Sequence, residues 1–249
     1  MSLIHRVKFI KQGLSSKNHR ITWFKKPFLR TYISRTIEPP LESAIVEKPC
    51  TVLLMEDRAI YKESWNNSFH TAIPNNYGMS FASVSFSKEL DFDQMLNELK
   101  ADLSSFSDAV LIARGPLSSW IAQFYLESLS LKGLVMVDPI SFDVPEAETI
   151  TKLEEKARQT EFSKELEQWN KLLRQAQQRK LLLEPGVVPM IIMYSYEDPT
   201  CKLSAMRVAK RHSGEKDSRF GDVPVKQILQ GDNSNHLMTD IDNWIESVL

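Results

Sequence analysis

Residues 107–142 constrain the fold more than any other stretch of this sequence. They contain two short apolar runs, 109–112 and 134–137, both rich in strand-forming residues. Gly115 and Pro116 interrupt the pattern after the first run. Apolar residues then recur at helical spacing, namely Trp120, Ile121, Phe124, Tyr125 and Leu129. Two buried strands joined by such a helix predict a parallel β–α–β unit with a right-handed crossover.

The rest of the chain repeats this alternation of apolar runs and amphipathic segments. Further strands are predicted at 51–55, 79–86, 187–193 and 223–229, and helices at 91–103, 118–129, 203–211 and 240–249. Asp91 is the predicted N-cap of its helix. The order of elements predicts an α/β fold, with a mainly parallel central sheet and helices on both faces, within residues 38–249.

A highly charged helical pattern interrupts this order at about 146–184. It contains no Gly or Pro, and it carries an apolar stripe formed by Phe162, Leu166, Trp169, Leu172 and Leu173. The favoured interpretation of this insertion is a packed helical hairpin that covers the edge of the sheet. A lid over a substrate pocket and a partner-binding surface are the alternatives.

The charge of the chain is divided unevenly around residue 38, where the segment 38–42 has the composition of a linker. Residues 1–37 contain nine Lys or Arg and no Asp or Glu, which leaves 22 basic and 32 acidic residues in 38–249. A basic, hydroxylated, acid-free segment with interspersed apolar residues is typical of a mitochondrial transit peptide. The alternatives are a pair of strands at 21–24 and 29–33, or an RNA-binding arm, which the acidic remainder disfavours.

Several classes of site have no signature in this sequence. The two cysteines, Cys50 and Cys201, are too few for a disulfide scaffold or a metal cluster. No apolar run reaches the roughly 20 residues of a membrane span. Phosphate-binding loops and dinucleotide fingerprints are also missing from the sequence, so we expect no cofactor, no metal and no direct nucleic-acid contact.

Three residues stand in turns or loops that follow predicted strands. Gly115 follows the strand at 109–112, Asp198 follows the strand at 187–193, and His236 lies in a polar loop after the last strand. With the order of strands and helices, these positions make residues 50–249 resemble the α/β-hydrolase fold. In that family the strand-to-helix turn reads G-x-S-x-G and carries the nucleophile. By the resemblance, Asp198 and His236 match the acid and the base, while Gly115 stands where the serine should be and Leu117 where the second glycine should be.

The loop after the strand at 51–55 also departs from the family. The resemblance implies a His-Gly pair there, whose loop supplies an amide to the oxyanion hole, but the sequence has Glu56 and Asp57. Carboxylates at this place would oppose a developing oxyanion. For their actual role, we expect solvated loop residues or a helix cap. We expect Asp198 and His236 to form only a hydrogen-bonded pair, since a triad without a nucleophile forms no acyl-enzyme.

These observations predict a catalytically degenerate α/β-hydrolase-like protein with no catalytic residues. It would act, with protein partners, as a structural or interaction subunit of a mitochondrial assembly, either a ribosome or a respiratory complex. The alternative is an active serine esterase or thioesterase that uses Ser118 or Ser119 with His236. A third option is a module that binds a small ligand in the pocket beneath the insertion.

Overall fold

The computed structural model describes an α/β fold. The described residues are 37–40, 48–61, 63–86, 91–104, 106, 108–141, 151, 155, 163–195, 199–215, 220–228 and 234–248. The strands are β1 (Thr51–Glu56), β2 (Ser80–Val84), β3 (Ala109–Arg114), β4 (Gly133–Val137), β5 (Met190–Ser195) and β6 (Val225–Ile228). The helices are α1 (Asn66–Asn76), α2 (Phe92–Leu103), α3 (Pro116–Leu126), α4 (Ser163–Gln177), α5 (Pro199–His212) and α6 (Ser234–Val248).

The six strands form one parallel sheet in the order β2-β1-β3-β4-β5-β6. Val110 pairs with Gly133 at the start of β4, so the predicted β–α–β unit is confirmed. Strand residues alternate between two apolar cores: Leu53, Leu111 and Met136 face one, and their sequence neighbours face the other. Such two-sided burial explains why these strands read as continuous apolar runs rather than alternating ones.

Helices cover both faces of the sheet, as the sequence predicts. Buried residues of α2, α3, α4 and α5 belong to the first core, and those of α1 and α6 belong to the second. Asp91 caps α2 as predicted, since its side chain accepts a hydrogen bond from the Gln94 amide and the Gln94 side chain returns one to Asp91 N–H. No helix in the described parts of the chain is both long and apolar enough to cross a bilayer.

Several element boundaries differ from the sequence-based prediction. The helical pattern predicted through residue 184 ends at Gln177, and residues 180–184 are irregular. The buried stripe of α4 is confirmed at Leu166, Trp169, Leu172 and Leu173, whereas Phe162 lies outside the described residues. Helix α3 begins at Pro116 rather than at residue 118, because proline suits the first helical position.

The chain around residue 38 is part of the sheet edge. Glu38 and Phe81 of β2 exchange backbone hydrogen bonds of 2.9 Å in an antiparallel bridge. The expectation that residues 38–42 form a linker is therefore wrong at Glu38. The alternatives proposed for residues 1–37, a targeting segment or a strand pair, fall almost entirely outside the described residues.

Candidate functional site

The candidate site lies where β1 and β3 end side by side in the middle of the sheet. Asp57 follows β1 and Gly115 follows β3, and the Asp57 amide donates to the Arg114 carbonyl at 2.9 Å. From β1 the chain continues to one side of the sheet, through β2, while β3 leads to the other strands on the opposite side. In open parallel sheets such a switch in strand order creates a crevice at the carboxyl edge, where ligands bind.

Gly115 forms the turn between β3 and α3 with a φ of +108°, a conformation that favours glycine. A Cβ atom at this position would lie only 2.5 Å from Oδ2 of Asp57. The turn therefore requires glycine for two independent reasons, its backbone conformation and the neighbouring carboxylate. Gly115 lies at the strand-to-helix turn where the resemblance places the nucleophile.

The carboxylate of Asp57 sits on the N-terminus of α3. It accepts hydrogen bonds of 2.8 Å from the amides of Leu117 and Ser118, and one of 2.5 Å from the Ser118 hydroxyl. The indole Nε1 of Trp169, from α4, donates a fourth at 3.1 Å. A helix N-terminus attracts negative charge and offers unpaired amides, so this carboxylate caps α3 from a neighbouring strand.

Burial dominates the electrostatics of Asp57. Asp57 is only 5% exposed, and removal from water raises the pKa of its carboxyl group to about 6. The hydrogen bonds from Ser118, Trp169 and Leu117 act in the opposite direction, because they favour the charged form. Asp57 thus titrates nearer to neutral pH than an ordinary aspartate does.

Glu56 is equally removed from solvent, with a side chain 4% exposed. It pairs with Arg114 at 2.8 Å and accepts hydrogen bonds from the Ser64 hydroxyl and the Trp65 amide. The guanidinium carbon of Arg114 lies 4.0 Å from the ring centroids of both Tyr61 and Trp65. A planar cation between two aromatic faces is a favourable arrangement.

The expectation that Glu56 and Asp57 are solvated is therefore wrong. Parallel pairing places Glu56 directly beside Arg114, and the end of β1 lies against the start of α3. These are contacts between residues about 60 positions apart, and no local pattern reveals them. The other half of the expectation, a helix cap, holds for Asp57, although the capped helix is α3 and not one that follows Asp57 in the sequence.

The serines and the histidine proposed for catalysis lie in different surroundings. Ser118 and Ser119 are buried in the first turn of α3, and their hydroxyls donate to Asp57 and to the Ala113 carbonyl. The expectation that His236 lies in a loop is wrong, because the last helix begins at Ser234 and not at residue 240. His236 is exposed in the first turn of α6, on the opposite face of the sheet from α3. None of the described hydrogen bonds joins His236 to either serine. Asp198 lies outside the described residues.

A third buried carboxylate, Asp138, has a role that the sequence pattern did not predict. It follows β4 with a φ of +50° and accepts hydrogen bonds of 2.7 Å from both the amide and the hydroxyl of Ser195. The Tyr61 hydroxyl donates to it at 3.2 Å. Asp138 therefore ties the ends of β4 and β5 to the loop after β1. The Asp-Pro pair that closes this strand is the sequence signal that could have identified it.

A cavity of about 1320 Å³ opens between α4 and this edge of the sheet. Asp57, Leu117 and Ser118 contribute to its lining from the core, and Trp169 from α4. Its remaining lining combines apolar side chains of α2 and α3 with charged residues of α4, including Glu165, Lys171 and Arg174. The cavity has the mixed apolar and polar lining of a small-molecule site, and its volume exceeds the roughly 300–1,000 Å³ of typical ligand pockets.

The chemistry available at the turn follows from these contacts. Position 115 carries no nucleophilic atom, and Pro116 has no amide hydrogen to donate. The next two amides already bond to a carboxylate rather than facing an empty position. An oxyanion needs free, preorganised donors, and the turn does not present them in this arrangement.

Comparisons with known proteins place the fold. No family model matches the sequence, and no curated protein sequence matches it either. The RedJ thioesterase from the prodiginine biosynthetic pathway in Streptomyces coelicolor is 13% identical with a TM-score of 0.60, over 90% of this chain and 99% of that chain. MenH from S. aureus is 14% identical with a TM-score of 0.54, over 82% of this chain and 96% of that chain. The Francisella virulence factor BioJ is 11% identical with a TM-score of 0.57, over 82% of this chain and 79% of that chain. At such identities the likeness concerns the fold, and the chain has an α/β-hydrolase fold.

The contact between Gly115 and Asp57 predicts a site-specific cost for any side chain at position 115. Gly115→Ala should lower the free energy of unfolding by about 2 kcal/mol or more, because it adds backbone strain and a clash. Gly221→Ala is the matched control, since a Cβ there meets nothing within 4 Å. Urea denaturation of both variants checks the prediction, and equal stabilities would contradict it.

The raised pKa of Asp57 predicts a specific pH dependence of stability. The native state holds the Asp57 proton more tightly than the unfolded chain, so stability falls as the pH rises from the unfolded pKa of 3.8 through about 6. The unfolding free energy of the wild type, relative to that of Asp57→Asn, should therefore drop by about 2 kcal/mol between pH 4 and 7. Denaturation curves measured across this range provide the test, and a constant difference would show that Asp57 keeps an ordinary pKa.

Proposed function

We propose that this protein is a catalytically degenerate member of the α/β-hydrolase fold that acts as a structural or interaction subunit of a mitochondrial assembly. The assembly would be a ribosome or a respiratory complex. One observation carries the proposal: the Asp57 carboxylate fills the turn beside Gly115 and occupies the amides of Leu117 and Ser118. In an acyl-transfer enzyme, a nucleophile and an oxyanion would need this space.

Two further features support the loss of chemistry. The amide after the nucleophile is one donor of the oxyanion hole in this fold, and here that residue is Pro116. The negative charge of Asp57 would also repel the oxyanion of a tetrahedral intermediate. These features are independent of each other and of the missing serine, so no single substitution repairs the turn.

The cellular part of the proposal rests on the first 37 residues and on a general argument about folds. The segment is basic and free of acidic residues, as mitochondrial targeting segments are. A fold that no longer performs chemistry serves through its surface, and a role beside protein partners is the simplest such role.

A second candidate function is an esterase or thioesterase that uses Ser118. The observation in its favour is that the Ser118 hydroxyl donates to Asp57 at the lining of the cavity. The thioesterase among the structural neighbours is in keeping with it. In this version Asp57, not His236, would accept the serine proton, because His236 is exposed on the other side of the sheet. A third candidate, a ligand-binding module, rests on the cavity alone.

Activity-based labelling separates the proposal from the esterase alternative. The purified full chain should show no reaction with a fluorophosphonate probe and no hydrolysis of short- or medium-chain thioesters. Stoichiometric labelling that disappears in Ser118→Ala, but remains in Ser119→Ala, would establish the alternative with Ser118 as nucleophile. A secreted serine hydrolase run in parallel verifies that the probe is active.

Introducing the missing serine extends this test. Gly115→Ser should give no measurable esterase turnover, since the new Cβ would meet the Asp57 carboxylate and no amide would be free for the oxyanion. The double variant Gly115→Ser with Asp57→Gly removes that contact and is the matched comparison. Turnover by the single variant would show that the Asp57 carboxylate does not obstruct the site.

The targeting part of the proposal is tested with a reporter. Residues 1–37 fused to a fluorescent protein should direct it to mitochondria, because the membrane potential attracts a basic segment. A matched fusion with the nine basic residues changed to Gln should remain in the cytosol. A cytosolic wild-type fusion would count against the mitochondrial assignment, while leaving the argument about catalysis untouched.

A further inference from the structure

Most of the exposed large apolar side chains in the described part of the chain belong to α5 or to the segment between α4 and β5. Of the five large hydrophobic residues that are exposed among the described residues, these are Leu182, Val187, Leu203 and Met206, and the fifth is Ile37. That segment is attached to the C-terminal end of α5, because the Gly186 amide donates to the His212 carbonyl at 3.1 Å. Neighbouring exposed apolar side chains, such as Leu203 and Met206 on α5, mark interaction sites more often than scattered ones do.

The outward face of α5 combines apolar and basic side chains. Leu203 and Met206 are 48% and 52% exposed and stand one turn apart. Three exposed basic residues adjoin them on the helix, Lys202, Arg207 and Lys210. We call these five residues the α5 surface.

The charge of this helix is opposite to that of the domain that carries it. Helix α5 contains four basic residues and no acidic residue. Residues 38–249 as a whole contain 32 acidic and 22 basic residues. The α5 surface is therefore a basic area on an acidic domain, and it complements a negatively charged partner.

We propose that the α5 surface binds an acidic amphipathic helix of a partner protein. Leu203 and Met206 form a ridge that fits the groove between apolar side chains of a second helix. Lys202, Arg207 and Lys210 flank this ridge, where they meet Asp or Glu side chains at the rim of the contact. The inference builds on the proposed role as an interaction subunit, for which it names the surface and the chemistry of the partner.

A membrane surface fits these observations less well than a helix. The opposite face of α5 is fixed in the core, since Ser204 and Ala205 are fully buried and Val208 is 2% exposed. The helix therefore offers two apolar side chains, whereas helices that lie in a bilayer surface insert a complete apolar face.

Docking against α6 of a second copy of this chain is disfavoured. The acidic side chains of α6 already bind cations. Lys48 pairs with Asp242 and Glu246 at 2.6 and 2.8 Å, and Lys226 pairs with Asp240 at 2.9 Å. The acidic groups of α6 are thus engaged inside the molecule.

Two synthetic peptides test the proposal directly. Both are helical and carry Leu at the same positions, but one has Glu and the other Lys at the flanking positions. Fluorescence anisotropy with the full chain should show binding of the Glu peptide, and Met206→Glu should weaken it by about tenfold or more. Arg207→Glu combined with Lys210→Glu should reverse the preference toward the Lys peptide.

The control variant lies outside the α5 surface. Ile37 is 43% exposed and is the fifth exposed hydrophobic residue, so Ile37→Glu makes the same chemical change elsewhere. It should leave the affinity for the Glu peptide unchanged. Every variant retains the basic residues 1–37, so any attraction of the peptide to that segment is common to all of them.

Three outcomes would overturn the proposal. The first is equal affinity of the Glu peptide for the wild type and Met206→Glu, or no binding to either. The second is sedimentation with phosphatidylglycerol vesicles that Met206→Glu abolishes, which would assign the surface to a membrane. The third is dimerisation, measured by analytical ultracentrifugation, that the same variant abolishes. Ester hydrolysis by the wild type would instead overturn the proposed non-catalytic function. The peptide measurements would still test binding at the α5 surface independently.

Discussion

The hydrogen bonds between the Asp57 carboxylate and the N-terminus of α3 hold together the carboxyl edge of the sheet. This single group joins the end of β1 to the amides of Leu117 and Ser118 and to the indole of Trp169 on α4. Four donors around one buried carboxylate satisfy its acceptor capacity, which allows a charged group to exist in the interior. Because the same contacts fix the position of α4, they also define one wall of the cavity.

The neighbouring buried charges follow the same physical rule. Glu56 has Arg114 as its partner, and Asp138 receives the amide and the hydroxyl of Ser195. Buried carboxylates are tolerated when each is paired or hydrogen-bonded, and their loss leaves an uncompensated partner. At the carboxyl edge of this sheet, Asp57, Glu56 and Asp138 are therefore all hydrogen-bonded or paired.

If the turn after β3 performs no chemistry, the function of the protein depends on what its surface binds. The basic α5 surface and the cavity beneath α4 are formed by different elements. A partner could therefore occupy α5 without closing the cavity, and the two sites could work independently. The proposed interaction role and the ligand-binding candidate are for this reason compatible with each other.

The sequence alone determined the parts of this protein that depend on local periodicity. Apolar runs predicted the strands to within a few residues, the motif around Asp91 predicted a helix cap, and Gly115 marked the turn between β3 and α3. The order of these elements was enough to predict a mainly parallel α/β sheet, because right-handed crossovers and two-sided burial leave few alternatives. The likeness to the hydrolase fold came from the resemblance to that family.

Only the tertiary structure decided the environment of the functional groups. It buried Glu56 and Asp57, which local polarity had placed in solvent, and it left His236 exposed on the opposite face from Ser118. Each of these results depends on pairing between residues far apart in the chain, such as Asp57 with Ser118 and with Trp169. A side chain's neighbours across a sheet are set by strand order and register, and the residues beside it in the sequence do not encode them.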